Sequence, residues 1–203
     1  MKIVLATNNM DKVREIKAYY NQFEVLALGD ICKPFEIQEY GKSFYENAMI
    51  KADAVYEKIK ELGIENECIA LSDDSGISVE ALGFAPGIYS ARYSGEGVSD
   101  ASNRAKLISE LKRLGLSHAK AFYTACIGIG SKYGRYGVHG FMHGEVIDRE
   151  LGDNGFGYDF MFIPDGFDKT IGQIDESIKL QISHRSKGLE LAKPILKMLS
   201  RYY

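Results

Sequence analysis

Apolar residues change their period along the chain, and the period assigns the elements. Residues 3–6 form a short apolar run that stops at Thr7, Asn8 and Asn9, after which Val13, Ile16, Tyr20 and Phe23 recur at helical spacing. This predicts a strand, a polar loop and a helix. Residues 25–28 predict a second strand, and residues 33–41 are polar enough to form a connection. Ser43 and Glu46 have capping-box spacing, and Ala48, Ala52, Val55, Ile59 and Leu62 then line one face of a long helix ending near Gly63. Residues 68–71 predict a buried strand that runs into the acidic segment SDDSG at 72–76, which is expected at the strand end; Ile77 and Val79 then resume alternation.

Further on, residues 99–114 are amphipathic through Ala101, Ala105, Ile108 and Leu111, whereas residues 121–129 read as a strand. Residues 141–150 and 160–163 suggest more strands. Leu189, Ala192, Ile195, Leu196 and Leu199 define a last helix, bent at Pro194. Early strand-helix alternation followed by a strand-rich, glycine-rich second half predicts an α/β protein with a mixed sheet, less regular than a doubly wound one. No repeat or Pro/Ser-rich linker interrupts the chain, so residues 1–203 are read as a single domain.

Composition narrows the function more than the fold. The 203 residues, 45% hydrophobic and 26% charged, suit an ordinary folded core. A net charge of −3 and a pI near 5.9 give no general attraction to nucleic acid or to an anionic membrane. Any phosphate site must therefore be built locally, and free nucleotides fit better than nucleic acid polymers. Cys32, Cys68 and Cys126 are odd in number and far apart, which matches neither zinc spacing nor a disulfide framework and predicts buried thiols. The apolar run at the start is too short for a signal-peptide core, and no run approaches ~20 apolar residues, so a cytoplasmic location is expected.

Five segments could carry chemistry. In SDDSG, Asp73 and Asp74 repel each other unless a cation offsets them, and a hard cation such as Mg²⁺ takes a few carboxylate oxygens while keeping waters. The pair is expected to share one pocket with that metal. An Asp-Gly turn explains the same letters locally. TNNMDK at 7–12 opens the first helix, where free N–H groups and Lys12 favour an anion, although an ordinary cap by Asn8 or Asn9 also fits. GFGYD at 155–159 offers Phe156 for stacking on a base, with Tyr158 and Asp159 beside it; a turn packed on the core is the plainer alternative. In ISHRSK at 182–187, Ser183 caps a helix whose first turn carries His184 and Arg185, cations placed against the helix dipole, which points to a ligand, with an ordinary surface role as the alternative. Glu39 and Glu46 flank the start of the long helix, and Lys51 lies five residues beyond Glu46, so a carboxylate and an ammonium could face one cleft.

TNNMDK, SFYENAMIKA, SDDSG, APGIYSARYSG, GFGYD and ISHR stand in this order between Thr7 and Arg185. In order and wording they resemble the Ham1/RdgB family of noncanonical purine nucleoside triphosphate pyrophosphatases, which includes inosine triphosphatase. The resemblance implies an elongated mixed sheet flanked by helices, two lobes with an active-site cleft between them, and a homodimer. It also implies Mg²⁺-dependent hydrolysis of ITP, dITP and XTP to the monophosphate and pyrophosphate, which cleanses the nucleotide pool. By motif position, Thr7, Asn8, Asn9, Met10, Asp11 and Lys12 would hold the triphosphate with help from Lys51. Glu39 and Asp74 would hold the metal, and Asp74 would be the general base. Ser75, Phe156, Gly157, Tyr158, Asp159, Lys179, His184 and Arg185 match the other nucleotide-contacting positions, with Phe156 stacked on the purine. Asp11 stands where many relatives carry Gly, Phe160 follows GFGYD where Pro is usual, and DESIKL replaces a more acidic stretch before ISHR. The competing readings are a nucleotide-sensing module without catalysis and a phosphatase with an aspartyl nucleophile, although the latter expects a DxD spacing that SDDSG lacks.

Overall fold

The computed structural model describes residues 1–95 and 98–203. Its main elements are β1 (Lys2–Leu5), α1 (Met10–Tyr19), β2 (Glu24–Ala27), α2 (Phe44–Glu61), β3 (Cys68–Val79), α3 (Asp100–Arg113), β4 (His118–Ser131), β5 (Gly134–Ile147), β6 (Phe162–Pro164), α4 (Glu176–Ile182) and α5 (His184–Leu199). The strands form one six-stranded sheet in the order β2-β1-β3-β4-β5-β6. β1 pairs in parallel with β2 and β3, while β5 and β6 are antiparallel, so the sheet is mixed as expected. None of the described helices is long and apolar enough to cross a membrane.

The chain divides into two compact units, one of residues 1–74, 125–140 and 185–203, the other of residues 75–124 and 141–184. In the first unit, β1 is apolar at every buried position because a parallel strand between two neighbours is covered on both faces. Ile3 and Leu5 pack with Ile69 and Leu71 of β3 against α1 and α5, through Val13, Ile16, Leu189 and Leu196. Val4 and Ala6 face the other way, with Cys68 and Ala70, onto Val55 and Ile59 of α2. The second unit has its own core, in which Ile77 and Val79 join Leu107 and Leu111 of α3, Tyr123, Val146 and Phe162.

Several boundaries differ from the sequence reading. SDDSG is not at a strand end and does not turn: β3 runs unbroken through it for 12 residues. Its glycine serves a close approach instead, since a Cβ on Gly76 would lie 2.4 Å from the Gly87 carbonyl and 2.5 Å from Ser90 Oγ. β5 begins at Gly134, seven residues before the predicted start, and ends at Ile147. β6 starts at Phe162, after a single 3-10 turn at Asp159–Met161. The short helix α4, capped by Asp175, occupies the DESIKL stretch that the apolar period had passed over. α5 continues through Pro194. Cys68 and Cys126 are buried, but Cys32 is only half-buried.

Glycine and alanine set how closely α2 approaches the sheet. Ala48 and Ala52 are fully buried on α2, and a Cβ on Gly128 of β4 would lie 2.6 Å from Ser72 Oγ and 2.9 Å from the Ala48 carbonyl. Ser72 Oγ donates to that carbonyl at 2.6 Å. Gly128→Ala forces backbone atoms apart, and overpacking of this kind costs about 1–3 kcal/mol. In a chain of this length a thermal melt should show a fall in Tm of about 2–4 °C per kcal/mol; an unchanged Tm would mean that α2 can retreat freely.

Candidate active site

Adjacent residues on a strand point to opposite faces, and β3 applies this rule to Asp73 and Asp74. Asp73 follows Ile69 and Leu71 toward α1 and α5. Its Oδ2 takes Lys12 Nζ at 2.8 Å, Arg185 Nη2 at 3.0 Å and Arg185 Nε at 3.2 Å. Arg185 also donates to Glu15 of α1, and Asp73, Arg185 and Glu15 are all buried. Burial works to raise the Asp73 carboxyl, but Arg185 and Lys12 outweigh it and hold it far below the usual carboxylate range. For Lys12, burial prevails over Asp73 and lowers the ammonium.

Asp74 follows Cys68, Ala70 and Ser72 toward α2. The Ser72–Ala48 contact fixes the register: two residues further along β3 stands Asp74, and three residues further along α2 stands Lys51. Lys51 Nζ reaches Asp74 Oδ1 at 2.7 Å and Glu39 Oε1 at 2.9 Å. Asp74 Oδ2 is buried with no hydrogen-bond partner among the described residues. Burial, then Glu39, raises the Asp74 carboxyl against the pull of Lys51 and Lys12. Lys51 is itself raised, because Asp74 and Glu39 outweigh its burial. The two aspartates thus point to opposite faces of the strand, each with its own direct ion pairs, while Lys12 and Lys51 act electrostatically on both.

The loop before α1 is organised as a cap. Asn9 Oδ1 accepts from the N–H groups of Asp11 at 2.9 Å and Lys12 at 3.1 Å, while Thr7 Oγ1 accepts from Asn9 N–H at 3.1 Å. Asn8 Nδ2 donates to the Phe35 carbonyl at 3.2 Å, and Met10 is exposed. Asp11, the departure noted above, pairs with Arg14 at 2.9 Å. Glu39 lies in the segment between β2 and α2, whose end is held by Asn47: its Oδ1 accepts from Gly41 N–H at 2.8 Å. Ser43 caps α2, and Glu46 reaches back to Lys42 N–H at 2.6 Å.

The second unit gathers the GFGYD residues. Gly155 and Gly157 take φ of +88° and +59°, which glycine permits at little cost. Asp159 Oδ2 accepts from Phe156 N–H at 3.0 Å and from Lys179 Nζ at 2.8 Å. The same ammonium lies 4.6 Å from the Phe156 ring centroid. Tyr158 is buried and its hydroxyl donates to the Ser90 carbonyl at 2.8 Å. Phe160 lies under the Arg104 guanidinium, 4.6 Å from its centroid. His184 is buried and stacks on Tyr123 with centroids 4.5 Å apart, and Ser75 directly follows Asp74 on β3.

In the first unit, then, Lys12, Glu39, Lys51, Asp74 and Arg185 converge on one strand; in the second, Phe156, Asp159 and Lys179 are in direct contact. Sequence reasoning missed Glu15, Asn47, Ser90, Asp100 and Arg104. Glu15 had a signal, a carboxylate one turn from Lys12 beside the apolar Val13 and Ile16. The others act on backbone groups, Asn47 on Gly41 and Ser90 on Ile77 and Gly87 nearby, Asp100 and Arg104 on Gly157 more than fifty residues away, which no spacing reveals. Among the described residues, Glu15, Glu39, Asp73 and Asp74 are joined by ion pairs to Lys12, Lys51 and Arg185. Among the described residues no group of three or more His, Cys, Asp or Glu is arranged to hold a metal.

Comparison with known proteins finds relatives over the whole chain. A family model described as the Ham1 family matches residues 3–195. The dITP/XTP pyrophosphatase of Campylobacter fetus subsp. fetus is 70% identical over 203 residues, covering 100% of both chains. That of Campylobacter jejuni subsp. jejuni is 53% identical over 201 residues, covering 99% of this chain and 100% of its own. Among solved structures, the Staphylococcus aureus Ham1 protein superposes with a TM-score of 0.82 at 34% identity, covering 97% of this chain and 98% of its own. A HAM1 protein from Coxiella burnetii gives 0.83 at 32%, covering 98% and 99%. Matched from end to end in sequence and in fold, the chain belongs to the Ham1 family.

Proposed function

We propose that this chain hydrolyses noncanonical purine nucleoside triphosphates, ITP, dITP and XTP, to the monophosphate and pyrophosphate. Full-length likeness to dITP/XTP pyrophosphatases supports the reaction class. The observation that carries it to particular residues is Asp74, a buried carboxylate with a raised pKa and one oxygen without a hydrogen-bond partner among the described residues. A base poised above the ordinary carboxylate value accepts a proton more readily near neutrality.

Asp74 draws a proton from water as its oxygen bonds to the α-phosphorus, and the bond to the β-phosphate oxygen breaks so that pyrophosphate leaves. Lys51 and Lys12 lend positive charge to the triphosphate, with residues 7–11 shaping the loop beside it. Asp74 and Glu39 suit a hard divalent cation, magnesium by the resemblance. They are oxygen donors, Asp74 Oδ2 lacks a hydrogen-bond partner among the described residues, and two carboxylates suffice for an ion that keeps waters and binds phosphate oxygens. Such an ion, when bound, supplies charge neutralisation and polarises the phosphoryl group. Phe156 offers a stacking face. Lys179, which can only donate hydrogen bonds, favours a 6-oxo purine over adenine with its 6-amino group. Gly157, Tyr158, Asp159, Ser75, His184 and Arg185 complete the nucleotide-contacting set. The resemblance further supports a homodimer, and the sequence reading a single-domain chain working in the cytoplasm on free nucleotides rather than polymers.

Incubation with ITP and Mg²⁺ should release IMP and pyrophosphate; IDP with orthophosphate would indicate a phosphatase, and binding without product a sensor. Asp74→Asn should lower turnover about 10²–10⁴-fold with nucleotide binding retained, and wild-type turnover would refute the base assignment. Asp73→Asn should act on the fold instead, since uncoupling a buried pair costs about 3–5 kcal/mol. Because folded Asp73 stays ionised where the unfolded chain takes up a proton, its contribution is present above the ordinary carboxylate pKa and fades as pH falls. Denaturant titrations from pH 6 downward should therefore show a shallower acid loss in Asp73→Asn than in the wild type; parallel curves would refute the ionised assignment.

A further inference from the structure

α3 grips the GFGYD loop from outside the nucleotide-contacting residues. Asp100 Oδ2 accepts from Gly157 N–H at 2.8 Å, and Arg104 Nη1 donates to the Gly157 carbonyl at 2.9 Å. Asp100 and Arg104 are four residues apart and so share one helix face. They hold the two peptide groups on either side of the Gly157 Cα, the left-handed residue between Phe156 and Tyr158. Both polar backbone groups of Gly157 are thereby committed to α3.

Arg104 is fixed in turn. Its Nε lies 2.8 Å from Glu150 Oε2, close in distance but misaligned for a hydrogen bond, and its guanidinium stacks on Phe160. α3 is itself bound to the APGIYSARYSG segment through Asn103, which accepts from Ser94 N–H at 2.8 Å and donates to the Ala91 carbonyl at 3.2 Å. Ser90 of that segment receives the Tyr158 hydroxyl. One helix therefore ties together the two segments between which the loop is suspended.

We propose that Asp100 and Arg104 are positioning residues for base recognition: by clamping Gly157 they fix the attitude of the Phe156 ring and so set affinity and selectivity for the purine without touching it. This rests on the reading of Phe156 as the base-stacking residue. Loss of one clamp bond lets the glycine turn relax, since Gly157 has open space where a Cβ would stand. The effect falls on nucleotide binding rather than on the proton transfer at Asp74.

The test compares Asp100→Ala, Asp100→Asn, Ser99→Ala and Phe156→Ala in steady-state hydrolysis of ITP and ATP, with thermal melts of each. Asp100→Ala should raise KM for ITP about tenfold and narrow the ITP/ATP ratio of kcat/KM, with kcat within about twofold of wild type. Asp100→Asn keeps an acceptor oxygen and should restore KM. Ser99→Ala removes the α3 cap bond to Ser102 N–H without touching the clamp, so it should lower Tm and leave KM alone. If Asp100→Ala and Ser99→Ala behave alike, or Asn fails to rescue, the residues are merely structural and the clamp is overturned. If Phe156→Ala shifts KM while Asp100→Ala does not, the clamp fails and the base site stands. If Phe156→Ala itself leaves KM and selectivity unchanged, the base-site reading fails and the clamp proposal falls with it.

Discussion

Two carboxylates on consecutive residues of one extended strand are the constraint around which the first unit is built. The pleat of β3 sends Asp73 and Asp74 to opposite faces, so each takes its direct ion pairs from a different side, although Lys12 and Lys51 act at longer range on both. Each face must bring its own positive charge, and each does so from a different helix. α1 and α5 deliver Lys12 and Arg185 to Asp73; α2 delivers Lys51 to Asp74. Taking ions out of water costs several kcal/mol each, so these pairs are poor evidence for added stability. They specify position: no helix of the three can slide along the sheet without stranding a buried charge.

The two faces are not equivalent, and the difference is chemical. Asp73 takes both an arginine and an ammonium on its Oδ2, a setting in which a carboxylate stays ionised and holds its neighbours still. Asp74 shares one lysine with Glu39 and has an oxygen without a partner among the described residues; burial and Glu39 make it more basic, and that oxygen is open to a further ligand. The small residues on α2 and β4 belong to this arrangement. Without Ala48, Ala52 and Gly128 the helix would stand further from the sheet, and the Ser72 contact that sets the Lys51 register would be lost.

Much of this was legible in the sequence, and the limits have physical reasons. The apolar period located β1, α1 and α2, because each buries a regular set of positions, and β2 from a short apolar run that is only half-buried. It misplaced β5 and passed over α4. β5 opens with half-exposed residues that show no clean alternation, and α4 is two turns held by a cap rather than by an apolar face. SDDSG was expected at a strand end because Asp, Ser and Gly favour turns; burial and cations overrode that preference. The repulsion argument correctly demanded positive charge nearby but could not say that it would come from three helices. Glu15 was within reach as a carboxylate beside an apolar helix face. Asp100 and Arg104 were not, since they bind a glycine backbone more than fifty residues away.

The unequal protonation of the two neighbours is the centre of this account, and site-resolved ¹³C NMR of the aspartate carboxyl carbons measures it directly. In metal-free protein titrated downward from pH 8, Asp74 should titrate above the ordinary aspartate value of about 3.9, while Asp73 shows no inflection until the chain unfolds. Two carboxyls titrating together near the ordinary value, or Asp73 protonating first, would contradict it.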